Sequence, residues 1–404
     1  MSDREPVIRP EADWPVRPLG DLVTVLRRGR APVYVEDSDV KAIGQRCVTH
    51  ADFDGSRSRP HSAKAMSNVL EPQAGDVLVN STGTGTIGRS VIFREDGARY
   101  VVDGHVTVAR PREKDLIGRW LNDILRSPQG QRYLEARCYA GSTNQIELSS
   151  SALAAMPVAA PMVDEQRRIA EVLDALDRQI RITSELVKKF RLQADGLLDD
   201  LVAAIPEGRR EPLADLCVAD ICYGIVQSGQ FVAGGVPVLS IRDLSGDFET
   251  GLHRTNPAID AQYRRSRVAP GDVLLSIKGT IGRVGVAPEH YMGNVSRELA
   301  RIRFGKNVVP EFARLYFLSR EAQRRLDLAV VGTTRAEVSI HVLKKFGFPV
   351  PSPERQRRMV AAYHCIEKRI VAEEQGLKKL RTMKLGLADD LLTGRVRLPA
   401  EAVS

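Results

Sequence analysis

Two aspartates are the first residues in this chain whose type and position could do chemistry. Asp76 and Asp272 each follow a glycine and open an apolar run, Gly75-Asp76-Val77-Leu78-Val79 and Gly271-Asp272-Val273-Leu274-Leu275. A carboxylate at a strand entry is where a metal-dependent hydrolase holds its ion. Such an ion needs several oxygen ligands. The second run continues Ser276-Ile277-Lys278 with no further carboxylate, and the first has no lysine there. The pair therefore reads as a turn that opens a strand. Gly83-Thr84-Gly85-Thr86-Ile87-Gly88 fits the G-x-G-x-x-G spacing of a dinucleotide loop. However, the second copy has Ile277 where Gly83 stands, and Ser90-Val91-Ile92-Phe93 follows as a strand rather than a helix. A tight turn with exposed backbone N–H groups, able to face a phosphate, is the simpler reading. None of the seven histidines recurs in the other copy, no Pro-Pro occurs, and nothing forms a triad. The five cysteines are odd in number and irregularly spaced, which suits free thiols.

The basic and small polar residues are the better lead. Arg46 matches Arg242, Arg89 matches Arg283, and Thr280 matches Thr86 in a shared Thr-Ile-Gly-Arg turn. Gly141-Ser142-Thr143-Asn144-Gln145 resembles Gly332-Thr333-Thr334-Arg335. Cations and small donors of this kind hold phosphates. Shared residues should position a backbone, and unshared polar ones should read bases. The unshared set is Asn80, Ser81, Thr82 and Thr84 against Lys278, Asn144 and Gln145 against Arg335, and Gln45 against Ser240. Arginine on guanine, and asparagine or glutamine on adenine, are the expected pairings.

These residues sit in a chain written twice. Asp76 returns at Asp272, Thr86 at Thr280, Gln166-Arg167-Arg168 at Gln356-Arg357-Arg358, and Asp199-Asp200 at Asp389-Asp390. Each copy ends in a heptad seam stepping by fours and threes. The first is Ile169, Leu173, Leu176, Ile180, Thr183, Val187, Phe190, Ala194, Leu197 and Leu201; adding 190 gives Met359 through Leu391. That pattern predicts two long helices that pair as a coiled coil. Antiparallel pairing would place a globular domain at each end, with the rod length fixing their separation. The expected organisation is a globular domain over 14–161, a helix over 162–205, a second domain over 212–352 and a second helix over 353–397. Short apolar runs bounded by Gly and Pro predict strands near Asp76–Val79, Ser90–Phe93, Tyr100–Val102, Val106–Ala109, Val236–Ile241, Val273–Ile277, Val284–Ala287 and Leu299–Phe304. One helix per domain is expected, near Ile117–Ser127 and Pro310–Arg325. The fold class is α+β: two similar globular domains and two long helices, related by a pseudo-twofold internal repeat.

The 404 residues are 43% hydrophobic, enough for real cores, and carry a net charge of +8. A pI near 9.3 points to a polyanion partner, nucleic acid before membrane. The charged N-terminus has no signal-peptide core, and no 18-residue apolar stretch suggests a membrane span.

Taken together in order, the motifs resemble the specificity (S) subunit of type I restriction–modification systems. The carrying features are Tyr223-Gly224-Ile225-Val226-Gln227, the Gly-Asp-Val-Leu strand with its Gly-Thr-Ile-Gly turn in both copies, the Gly-Ser-Thr and Gly-Thr-Thr segments, and the exits into Glu-Gln-Arg-Arg and Glu-Arg-Gln-Arg-Arg helices. The likeness runs from Trp14 to Arg397. It implies two target recognition domains, each reading half of a bipartite site on double-stranded DNA, with the helices as ruler and docking surface. It also implies two modification (methyltransferase) subunits as partners, with two restriction subunits where present, in a bacterial or archaeal cytoplasm. No cofactor is expected on this chain; S-adenosylmethionine, ATP and Mg would belong to partners, and the chain itself would be non-catalytic. Gln227 completes the candidate DNA-contacting set. The first copy has no sequence match to Tyr223–Gln227. Two other readings are a stand-alone tandem nucleic-acid-binding adaptor and a self-sufficient restriction-class enzyme, the latter opposed by the missing catalytic motifs.

Overall fold

The computed structural model describes residues 10–141, 146–206, 210–246, 248–330 and 336–399. The chain divides into two compact units, one formed by 1–182 with 376–404 and the other by 183–375. Each unit holds one globular head and half of each long helix.

The first head is built on a four-stranded antiparallel sheet in the order Val23–Arg28, Val106–Pro111, Val77–Asn80, Ser90–Ile92. Val77–Asn80 is buried along its whole length. Successive side chains of a strand point to opposite faces, and here each face meets its own core. Val77 and Val79 join Trp120, Leu121 and Leu125 on one side. Leu78 joins Val91, Phe93, Val106 and Val108 on the other. A continuous apolar run, rather than an alternating one, is what a strand covered on both faces requires. A three-stranded sheet flanks it, with Val40–Ile43 between Arg59–Pro60 and a parallel Arg99–Val102. Val16–Pro18 pairs with Pro157–Ala159 where the chain enters and leaves the head.

The second head repeats this plan. Its four-stranded sheet runs Cys222–Tyr223, Leu299–Ile302, Val273–Ser276, Val284–Val286. Val273 and Leu275 face the core of Phe312, Tyr316 and Phe348, while Leu274 faces Leu239, Tyr291 and Val295. Val236–Leu239 lies between His253–Thr255 and a parallel Asn294–Val295. Arg210–Pro212 pairs with Gly347–Pro349. All eight expected strands are present, some trimmed by one or two residues at an end.

The first expected head helix is present and a second follows it, whereas the expected Pro310–Arg325 helix is broken in two. Gly118–Arg126 is followed by Pro128–Tyr133, and Pro310–Leu318 by Arg320–Leu328. The break falls on a serine in both copies. Ser127 and Ser319 adopt extended backbone, and their hydroxyls accept from the N–H of Gly130 and Ala322. A serine offering its side chain as an N-cap starts a new helix rather than continuing the old one.

The two rods are Val163–Ala203 and Pro353–Thr393, 41 residues each, or about 60 Å of helix. Every predicted seam position is buried or half-buried. In the first unit Ile169 and Leu173 share a core with Leu387 and Leu391. Glu165 pairs with Arg397, and Asp177 with Lys384. In the second unit Arg191 pairs with Glu374, and Arg355 donates to the carbonyl of Ala204. In both units partner numbers fall along one rod as they rise along the other, so the pairing is antiparallel. Gly394, at φ 74°, ends the second rod. No described helix is long and apolar enough to cross a membrane.

Candidate nucleic-acid interface

In the second head the turn between Val273–Ser276 and Val284–Val286 carries Lys278, Thr280 and Arg283. It is fixed from below. Buried Ser276 donates its hydroxyl to the carbonyl of Thr280 at 2.6 Å and accepts from the N–H of Arg283 at 2.8 Å. Gln323 donates to the carbonyl of Gly282 at 3.0 Å, and a Cβ on Gly282 would lie 2.3 Å from that glutamine's oxygen. Gly282 also holds φ 85°, so the site takes glycine for two reasons. Thr280 and Arg283 are consequently presented outward. Arg242 is presented from the short 3-10 helix Ile241–Ser245, capped by a reciprocal Ser240–Asp243 box. Ser240, Arg242, Thr280, Arg283 and Glu298 line one open concavity of about 350 Å³. Three expected contacts, Arg242, Thr280 and Arg283, therefore converge. Lys278 stands apart, paired with Glu337 at 2.9 Å and 5.5 Å from the Tyr223 ring centroid. Gln227 is exposed beyond the edge strand.

The first head builds its turn from different residues. Asn80 takes the place of Ser276, accepting from the N–H of Gly88 at 2.9 Å. It is fully buried, and its side chain donates to the carbonyl of Gln45. Asn80 thus supports the loop from inside and offers nothing to a base in this conformation, unlike the sequence expectation. Thr82 is half-buried, taking a hydrogen bond from Gln45 and meeting His105 Nδ1 at 2.9 Å. Thr84 is exposed at the tip. Arg89 folds back on Gly85 and His50, at 3.2 and 2.9 Å. Arg46 is exposed on the 3-10 turn Gln45–Cys47. The two 3-10 turns begin at the same place, so Gln45 is matched by Ile241, and Gly44 by Ser240; the sequence pairing of Gln45 with Ser240 is off by one. Thr143, Asn144, Gln145, Thr333, Thr334 and Arg335 lie outside the described residues.

The two aspartates are accounted for. Asp76, 1% exposed, takes two 2.8 Å bonds from Arg110, and Asp272 takes 2.7 and 2.8 Å bonds from Arg303. Each also accepts from a backbone N–H of its own turn, Gln73 or Ala269. Those bonds hold each carboxylate as a structural anchor. No cluster of potential metal ligands occurs among the described residues.

One correspondence escaped the sequence. Gly29 and Gly224 occupy the same place: a Cβ there would sit 1.8 Å from the carbonyl of Val102 or 1.7 Å from that of Val295. Thus Arg28-Gly29-Arg30 stands where Tyr223-Gly224-Ile225 stands, matched in backbone and not in side chains. A two-arginine entry in one head against a tyrosine and an isoleucine in the other hides the likeness. The backbone reveals it, through the close contact of the glycine and through the N–H groups of Arg30 and Ile225, which donate to the same two carbonyls. Arg30 is exposed and Arg28 binds Glu147 at 2.9 Å. Nearby in sequence, Arg59 lies 3.5 Å over the half-exposed ring of Tyr34.

Residues 11–189 and 213–381 match the family described as type I restriction modification DNA specificity domain. The chain belongs to this family. Both copies of this specificity domain extend from a head into its rod. Among curated relatives, the EcoBI specificity subunit of a type I restriction enzyme from Escherichia coli is 29% identical over 53% of this chain and 52% of its own. The chain thus spans about half the length of that relative in the match. A putative type I restriction enzyme specificity subunit, MjaX from Methanocaldococcus jannaschii, is 21% identical over 96% of this chain and 94% of its own. Two solved structures share the fold. A chain from a study of assembly and conformational transition in the type I R-M system superposes with a TM-score of 0.63 at 18% identity, covering 96% of this chain and all of that one. The type I restriction–modification S subunit from M. genitalium gives 0.56 at 14% identity, covering 98% and 100%.

Proposed function

We propose that this chain is the sequence-reading subunit of a type I restriction–modification assembly and performs no bond chemistry itself. One observation carries the reading. The two heads share their framework bonds, Asp76–Arg110 with Asp272–Arg303 and Gln166 with Gln356, while the turns raised on that framework carry unlike polar and cationic side chains. Arg46, Arg89, Arg242 and Arg283 hold phosphates, which supply most of the affinity and its salt dependence. The unmatched turn residues discriminate bases. Two such heads suit a bipartite site, with the paired helices setting the spacer.

The rods also offer the docking surface for two modification subunits, and for restriction subunits where these are present. S-adenosylmethionine, ATP and Mg belong to those partners. Binding the full chain to a pool of randomised duplexes and sequencing the retained fraction tests the reading. Two short motifs at fixed spacing are expected, and a single motif or none would refute it. Purification without associated methyltransferase chains, together with retained bipartite binding, would favour a stand-alone adaptor.

A further inference from the structure

We propose that Gln45 is a specificity-determining residue of the first head and reads an adenine. The inference rests on the DNA-reading role proposed above. Gln45 is half-buried at the start of its 3-10 turn, beside exposed Arg46. Its amide is held by two hydroxyls from the neighbouring turn. Nε2 donates to Thr82 Oγ1, and Oε1 lies 3.4 Å from Thr86 Oγ1, whose single hydroxyl proton also has the carbonyls of Gly83 and Thr82 at 3.1 and 3.2 Å. Gly83, at φ 95°, makes room: a Cβ there would lie 2.5 Å from Oε1.

A primary amide has two N–H donors and two acceptor sites. The two threonines take at most one of each, leaving at least one donor and one acceptor. The remainder is the same whichever way round the amide lies, because a hydroxyl can donate or accept. One donor and one acceptor on a single amide is the complement of the adenine edge in the major groove, where N7 accepts and N6–H donates. Thr82 is itself tied to His105 at 2.9 Å, so the amide is braced before DNA arrives. The second head lacks this device, since the matching residue is Ile241.

The test uses the full chain, with any subunits that co-purify, on a pool of duplexes randomised over both half-sites. Wild-type protein should select two half-sites, one with an adenine. Gln45→Ala should lower the preference at that single position by roughly tenfold to a hundredfold and leave every other position, and the whole second half-site, unchanged. The intact second half-site reports folding. Gln45→Glu, close in shape and able only to accept, should move the preference toward cytosine. A Gln45→Ala protein with the wild-type motif would overturn the inference, as would a Gln45→Glu protein that still prefers adenine. Loss at every position of one half-site would also overturn it, by making Gln45 a brace for the loop. A wild-type protein that selects no motif would instead bring down the DNA-reading role itself.

Discussion

Gln166 accepts a 3.0 Å hydrogen bond from the backbone N–H of Ile117, tying the start of a rod to the start of a head helix. The same side chain donates to the carbonyls of Asp115 and Pro161 at 2.9 and 2.8 Å. Gln356 repeats all three bonds, to Val309, Asn307 and Pro351. Both glutamines are fully buried. Replacing either by alanine strands an N–H and two carbonyls and should cost about 2–3 kcal/mol in its own unit. Both tryptophans, Trp14 and Trp120, lie in the first unit and pack at 5.6 Å. Fluorescence-monitored urea unfolding therefore reads Gln166→Ala, and hydrogen exchange at Val309 reads Gln356→Ala.

The Asp76–Arg110 pair gives a second expectation. Removing Asp76 alone leaves a partly buried guanidinium without its carboxylate and should destabilise the first unit by roughly 3 kcal/mol. Removing both should cost less than the two single changes summed. Additive losses in a double-mutant cycle would show that the pair is not coupled.

Stability of the first unit should depend on pH through Asp123. Burial pushes this carboxyl up from 3.8 to about 6, even with Arg119 beside it. The folded state then holds a proton that the unfolded state has released, so stability falls as pH rises from about 4 to about 6. The loss is about 3 kcal/mol at most. Asp177 acts oppositely and lower. Burial raises it, but bonds from Lys384 and Arg119 outweigh this and hold it below its usual value, so its contribution fades only as pH drops. Asp123→Asn should flatten the profile between pH 4 and 6 while leaving the more acidic limb. An unchanged slope would show that Asp123 does not set it.

Arg89 and Arg283 are expected to hold phosphate. Alanine at either should weaken binding to all sequences alike and lower the log–log salt slope by about 1. A loss confined to one base position would reassign that arginine to base reading.

Four residues added to each rod, one helical turn or about 6 Å, near Thr183 and Glu373, should lengthen the preferred spacer with both half-sites kept. An unaltered spacer would remove the ruler role from the rods.

Much of this architecture is visible in the residue order, for identifiable reasons. The rods are legible because a four-three step repeated from Ile169 to Leu201 admits no other regular structure. Even their polar exceptions make sense, since Lys384 in the seam meets Asp177. Strands such as Val273–Ser276 are legible as unbroken apolar runs, but such runs do not say which residues face which core. For the same reason Asn80, at the end of an equally buried strand, passes for a surface reader. The break at Ser319 is hidden because a serine within a helical pattern looks the same whether its hydroxyl caps a new helix or points to solvent. The site is legible only as far as two copies agree. Arg242, Thr280 and Arg283 converge, whereas Gln45's true counterpart and the Gly29–Gly224 correspondence depend on backbone contacts that no side-chain pattern records.

The glutamine joint has an evolutionary consequence. What Gln166 and Gln356 grip is main chain: one amide and two carbonyls, groups that any residue but proline supplies. The joint therefore works as a standard socket, indifferent to the identity of what is plugged into it. A lineage could exchange one whole head for a foreign one and acquire a new target without redesigning the mount.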